Sequence, residues 1–426
     1  MRMHITTNWC FKAVGILILG MMFLSAAGCA EPTKPAEQKF MFWPPSPDQP
    51  HIQYLTTIMS TVDITGSQAK MDEFIYGKTE DTGLPFVRPY GVRMSDGKIY
   101  VCDATAATVS ILDLRKKQVR VLGAGGDGRL VKPIDIAVAD DETKYVADTG
   151  LNAIVVFDAQ DQFVGKITPA VKMRPVSLAV RKDEVFVADM LGSCVRVFDR
   201  FKGTELRQIG ETGTGEGKLG GVMGIALDAE GNIFINDVVG CRAQKFTLQG
   251  KFLWSVGGIG EHPGNLVRPK HMAVDSSGIM YVVDAAFQNV QMFNENGELL
   301  LYFGGAGVHP GAMNMPTGIC VSDKDLDLFQ KYVHPAFQAE RILIVTNNTG
   351  PYLINIYALG HLKPGKTLAD ISASRIPGVF GFDDNSKKTP STMPTTLPNA
   401  GPATPPATSP ATLPAATAPA ATAPRK

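Results

Sequence analysis

The chain is poor in the residues that usually announce chemistry. Its 426 residues include seven histidines, six cysteines and three tryptophans. No Cys-x-x-Cys-His stretch occurs, which removes support for covalent haem attachment, and the cysteines show no metal-ligand spacing. No Gly-x-Ser-x-Gly elbow is present, so the turn that presents a serine nucleophile at a strand end is missing. The 41 basic residues are balanced by 41 acidic ones, and no block of Lys and Arg marks a nucleic-acid surface. The apolar run Ala13–Leu24 is shorter than the roughly 20 residues that a spanning helix needs.

What the chain does have is repetition. Six stretches recur at a spacing of 42–47 residues, opening at Pro89, Pro133, Pro175, Val222, Pro269 and Pro316. Each begins with a short apolar run, such as Ile134-Asp135-Ile136-Ala137-Val138. A Gly- or Asp-containing turn follows. A second run then ends in Asp103, Asp148, Asp189, Asp237, Asp284 or Asn347. A third run ends on an aromatic residue, as in Val195-Arg196-Val197-Phe198, and a fourth often ends on glycine. Four short β-rich runs per unit make an antiparallel sheet. One such sheet cannot bury both faces, but six packed around an axis can, and closure leaves only short edges.

The order Pro, Gly-Ile-Ala-Val-Asp, Gly-Asn-Ile-Tyr-Val-Ala-Asp, Val-Phe-Asp, met in the fourth copy as Gly224–Asp228 and Gly231–Asp237 after Val222, resembles the NHL repeat. The resemblance runs from Pro89 to about Leu359. It implies an all-β, six-bladed β-propeller of four-stranded antiparallel blades. The sixth copy lacks a fourth strand after Ile354-Asn355-Ile356-Tyr357, and Ile52–Ile58 reads like one. It is therefore predicted to close the last blade. A short helix is predicted over Gln68–Tyr76, and residues 325–340 form an insertion in blade six, expected in a loop on one face.

The ends read as targeting and spacing segments. Residues 1–28 resemble a bacterial lipoprotein signal, with Arg2 and Lys12 before the apolar run and Ser25-Ala26-Ala27-Gly28 before Cys29. The resemblance implies lipidation of Cys29; ordinary cleavage without lipid is the alternative. Ala30, in place of an aspartate, points to the outer membrane. Residues 29–50 are Pro-rich and expected to be an extended tether. The propeller is then expected over 51–381. Residues 382–426 are almost all Pro, Ala and Thr and are expected to be disordered.

The candidate functional residues come from comparing equivalent positions. The residue before the blade proline is Arg88, Lys132, Arg174 and Arg268 in four copies, which suggests a basic collar around one mouth of the ring, able to attract an anionic group. Two residues after the proline stand Asp135, Ser177 and His271, a candidate polar site at the channel mouth. Propeller lyases of the peptide-amidating kind, of similar architecture, place metal-binding histidines in this region. Asp135 and His271 are thus weak metal candidates, short of the three protein ligands of a catalytic zinc site. No cofactor is expected; zinc or calcium is the alternative. The repeated acids read as turn caps. The two Gly-x-Gly-x-x-Gly matches, at Gly123–Gly128 and Gly215–Gly220, lie between blades and read as connectors rather than dinucleotide loops. Cys194 and Cys241 hold nearly equivalent sites in neighbouring blades, so a bridge is possible in an oxidising compartment, with buried free thiols the default.

These readings favour a lipid-anchored, non-catalytic binding or scaffolding propeller of the bacterial envelope, monomeric and with a protein partner but no nucleic acid. The Tyr332-Val333-His334-Pro335-Ala336-Phe337 insertion resembles that of NHL-repeat lipoproteins in bacteria rich in multihaem cytochromes. That implies an outer-membrane cytochrome or porin assembly as partner. A metal-dependent lyase or lactonase-like hydrolase, and a small-ligand or glycan sensor, are the alternatives.

Overall fold

The computed structural model describes residues 40–65 and 85–371. The predicted helix at Gln68–Tyr76, Cys29 with the signal segment, and the 382–426 tail lie outside the described residues. Six sheets form the ring, and every predicted blade start is the first residue of an innermost strand. These strands are Pro89–Ser95, Pro133–Val138, Pro175–Arg181, Val222–Leu227, Pro269–Val274 and Pro316–Ser322. Each contacts the next around the axis, and the sixth returns to the first. Proline is tolerated there because it opens an edge strand, where its missing N–H costs no ladder bond.

Blades one to five each run in simple order from the innermost to the outermost strand. The second and third strands are almost wholly buried, as in Lys144–Asp148 and Ala153–Phe157. They are apolar on both faces because each blade is covered by two neighbours. Outermost strands alternate exposed and half-buried residues, as in Phe252–Gly257, because only one face is covered.

Blade six is closed from the N-terminal side. Ile52–Ile58 pairs antiparallel with Ile354–Leu362, Ile52 opposite Leu359 and Ile58 opposite Ile354. The tether is shorter than the sequence suggests. Met41–Trp43 pairs with Ile52–Tyr54 as a fifth strand, and Trp43 is buried against Phe303 and Tyr357. The prolines after Trp43 end this strand without preventing it, and three residues of MFW supply the apolar contact that a polar tether lacks.

The insertion is a wedge rather than a free loop. A 3-10 helix, Leu326–Tyr332, places Phe329 in the core cluster that joins blades six and one, beside Phe86, Val92 and Ile99. Gln53 of the closing strand donates to the Tyr332 carbonyl at 3.0 Å and accepts from the His334 amide at 3.0 Å. Asp325 accepts from the Gly97 amide at 2.9 Å and pairs with Arg115. The inserted segment therefore ties the seam where the two ends of the chain meet.

The repeated acids cap turns, as expected. Asp148 accepts from the amides of Val131 (2.7 Å), Lys132 (3.0 Å), Gly150 (2.8 Å) and Leu151 (3.0 Å). One carboxylate thus ties the connector entering a blade to the turn after its second strand. Asp103 and Asp284 repeat the pattern. Asn347 does a related job in blade six, donating to the Ala312 and Tyr352 carbonyls and accepting from the Asn314 amide.

Candidate functional site at the ring axis

Asp135, Ser177 and His271 come from three different blades, and the fold brings them together. Their side chains meet between innermost strands, where the ring is narrowest. Small residues make this possible. Gly91 stands beside Asp135, and Gly224 beside the backbone of His271; a Cβ at either glycine would collide with that neighbour. Hence the position two after the blade start is glycine in three blades (Gly91, Gly224, Gly318) and polar in the other three.

The three form a knot rather than an open mouth. Their exposures are 2%, 2% and 5%. The Ser177 hydroxyl donates to Asp135 Oδ2 at 2.9 Å, and the Leu178 amide donates to the same oxygen at 2.9 Å. Asp135 Oδ1 accepts from the Ile136 amide at 2.9 Å. Ser177 Oγ also accepts from the Ile225 amide at 3.3 Å. His271 Nε2 lies 3.1 Å from the Val176 carbonyl, so this nitrogen carries the proton. Its Nδ1 stands 4.0 Å from Asp135 Oδ1, beyond hydrogen-bond reach. The order is thus serine–aspartate, with histidine apart. A Ser–His–Asp relay needs histidine between the other two.

Burial pushes the His271 pKa below its ordinary value, with Asp135 opposing. The imidazole is therefore neutral near pH 7. Two residues at the axis escaped the repeat comparison. Arg93 reaches from blade one to the Ile136 and Leu178 carbonyls, both at 3.3 Å, in blades two and three. Lys270, half-buried at the mouth, is pushed down in pKa by burial, with Tyr90 opposing. The signal for Arg93 was available: at its position the other copies have Ala137, Ala179, Ala226, Ala273 and Cys320. An arginine in a column of small residues marks a special role.

As a whole the knot braces the ring. Asp135, Ser177, His271 and Arg93 spend their donors and acceptors across blades one to five. Thr317 and Thr346 join blade six to blade one through the Pro89 and Tyr90 carbonyls. Among the described residues, no group of three or more His, Cys, Asp and Glu side chains is gathered for a metal. Two grooves of about 610 and 620 Å³ lie at the seams between blades three and four and between blades one and two, away from the knot.

The four collar residues stand at one end of the ring, each where a connector enters an innermost strand. The side chains of Arg88, Lys132, Arg174 and Arg268 are exposed. Their backbone amides, by contrast, are held by Asp103, Asp148, Asp189 and Asp284. The connectors carrying the two glycine motifs run between blades, and Gln244 holds the second through the Gly217 amide. Cys102, Cys194, Cys241 and Cys320 are all free thiols, the default reading, and the alternative bridge between Cys194 and Cys241 is not formed.

These features define a six-bladed β-propeller whose axis is closed by a polar brace. No protein-family model matches the chain, and no curated protein matches it. Solved structures of similar fold include virginiamycin B lyase from Staphylococcus aureus, 14% identical, covering 64% of this chain and 85% of that one, with a TM-score of 0.45. A gluconolactonase from Xanthomonas campestris is 15% identical, covering 77% and 99%, at a TM-score of 0.48. A protein of unknown function from Bacteroides thetaiotaomicron is 14% identical, covering 64% and 70%, at 0.49. The likeness concerns the fold alone.

Proposed function

We propose that this chain is a non-catalytic binding and scaffolding propeller of the bacterial cell envelope. It is of the NHL kind, anchored through Cys29, and holds a protein partner such as an outer-membrane cytochrome or porin assembly. The observation that carries the non-catalytic part is the wiring of the axial knot. Asp135 and Ser177 bond to each other and to backbone amides, and His271 bonds to a carbonyl of another blade. Side chains committed in this way, and buried, are poor candidates to meet a substrate. Their bonds hold the ring rigid, which is what a scaffold requires.

The test compares Asp135→Ala and His271→Ala with the parent protein. A brace predicts a lower melting temperature for both and no hydrolase or lyase activity in either parent or variant. Turnover of a lactone by the parent, lost in His271→Ala with melting unchanged, would overturn the reading in favour of an enzyme. Partner identity is tested by crosslinking in the native envelope. Recovery of one stoichiometric envelope protein supports the scaffold.

A further inference from the structure

The collar end of the ring carries a second, apolar ring that the sequence comparison did not show. Val87, Val131, Leu191, Val239, Val267 and Met315 come one from each blade, and all are exposed, from 37% to 61%. Four stand directly before an innermost strand or one residue earlier. Leu191 and Val239 occupy the neighbouring turns after the second strands. Those turns dock on the same connectors: the Met190 amide donates to the Arg174 carbonyl and the Val238 amide to Gly221. Across all six blades, the turns between second and third strands (104–107, 149–152, 190–193, 238–241, 285–288 and 348–353) carry no charged residue.

The opposite end is different in kind. Every connection between first and second strands there carries an acid: Asp96, Asp141, Asp183, Asp228, Asp275 and Asp323. Some are paired, as Asp141 is with Arg200 and Asp228 with Lys245. Of the large exposed apolar side chains, that end shows Phe201. The outermost strands carry Phe163, Val164, Leu206, Leu253, Leu300 and Tyr302, and other connecting segments carry Met59, Val171, Ile259 and Val308, the last two 85% exposed. The opposite end also carries bases in its turns between third and fourth strands, Arg115, Lys116, Lys117, Arg200, Lys202 and Lys251, so the two ends differ in their apolar side chains more than in the sign of their charge.

We propose that the collar end docks on an anionic lipid bilayer surface, the six aliphatic side chains entering the headgroup boundary while Arg88, Lys132, Arg174 and Arg268 meet lipid phosphates. This rests on the envelope-scaffold reading and names what one end of the scaffold meets. Three features select a bilayer. The aliphatic side chains are spread one per blade around the mouth, which suits a planar counterpart; a protein hot spot gathers its anchors in one patch. They are aliphatic rather than aromatic anchors in a pocket, and none of them lines the grooves at the two blade seams. The four exposed bases at this end complement an anionic surface, and the six aliphatic side chains beside them set the orientation.

The probe is the full chain carrying Cys29→Ser, so that no acyl group contributes, sedimented with vesicles. One set contains phosphatidylglycerol and phosphatidylcholine, the other phosphatidylcholine alone. Binding is expected to the anionic set, weakened by salt. A basic side chain near an anionic surface changes partition by about fivefold. Arg88→Gln, Lys132→Gln and Arg268→Gln together should therefore lower it on the order of 100-fold. Leu191→Ser with Val239→Ser should lower it about tenfold. Lys116→Gln, Lys117→Gln and Lys202→Gln, at the other end, should leave it unchanged. Thermal melts confirm that each variant is folded. Absence of binding to anionic vesicles, or equal loss in the opposite-end variant, would overturn the proposal. Capture of a protein through the same six side chains without vesicle binding would also overturn it, while leaving the scaffold reading in place.

Discussion

If Ile52–Ile58 is the outermost of the four main strands of blade six, the ring depends on a segment that precedes blade one. Ile52, Leu55 and Ile58 are buried in the structure. Burying such a side chain contributes about 1.5–3 kcal/mol, so the three together contribute roughly 5–9 kcal/mol. The strand also completes a ladder with Ile354–Leu362, and Gln53 holds the insertion through two hydrogen bonds. A whole domain is stable by only about 5–15 kcal/mol. Removing everything through Ile58 should therefore bring the ring to the edge of unfolding. Leu55→Ala alone should cost about 2–5 kcal/mol. The assay is denaturant unfolding followed by circular dichroism and tryptophan fluorescence, with limited proteolysis of the truncated chain. A peptide spanning residues 40–65, added in trans, should restore part of the protection. A truncated protein with the midpoint and protease resistance of the parent would refute the closure and the arithmetic together.

Three further outcomes are expected. Asp148→Ala should lower stability by about 2–4 kcal/mol, because four backbone amides lose a charged acceptor; Asp148→Asn should cost less, as Asn347 serves the sixth blade, and denaturant midpoints measure both. His271 should make the protein acid-sensitive. Its folded pKa lies below that of the unfolded chain, so above the ordinary histidine value both states are neutral and it contributes nothing to pH dependence. As pH falls below that value, the unfolded chain takes the proton first and stability is lost until the folded value is passed. Midpoints at about pH 7.5 and about pH 5.5 should differ less in His271→Gln than in the parent; an equal difference would remove His271 as the cause. Among the four propeller thiols, Cys241 should react first with a maleimide, being the one not fully buried. Burial holds Cys194 up to about 11 and Cys320 up to about 12, and Cys102 well above its ordinary value. Rapid labelling of Cys102 in the folded protein would contradict this packing.

The repeat was legible because each blade solves the same problem. A sheet covered on both sides needs the same apolar runs, with an opening residue that is proline in five copies and a cap that is aspartate in five. Copying those constraints six times writes them into the chain as a period. The closing strand was legible for a related reason: the sixth copy was one strand short, and a matching segment stood before the first. Met41–Trp43 was obscured by its prolines, because three apolar residues beside Pro44 and Pro45 look like linker until a sheet edge offers them a partner. The insertion read as a loop because its phenylalanines are buried by contacts with residues far away in sequence, among them Phe86 and Val92.

For the site, the sequence by itself determined which residues occupy equivalent positions: Asp135, Ser177 and His271 at one, and Arg88, Lys132, Arg174 and Arg268 at another. Equivalence in a closed ring already places them at one level around the axis. Only the tertiary structure decided what those positions can do. Whether a polar side chain near the axis faces water or its neighbours depends on how closely the innermost strands approach. That distance is set by pairs such as Gly91 with Asp135 and Gly224 with His271, which lie in different blades. The same holds for the aliphatic ring. Leu191 and Val239 sit at a different repeat position from Val87 and Val131, and they join one surface because backbone hydrogen bonds dock their turns on the connectors. A one-dimensional period records the first kind of relation; the second exists only once the ring has closed.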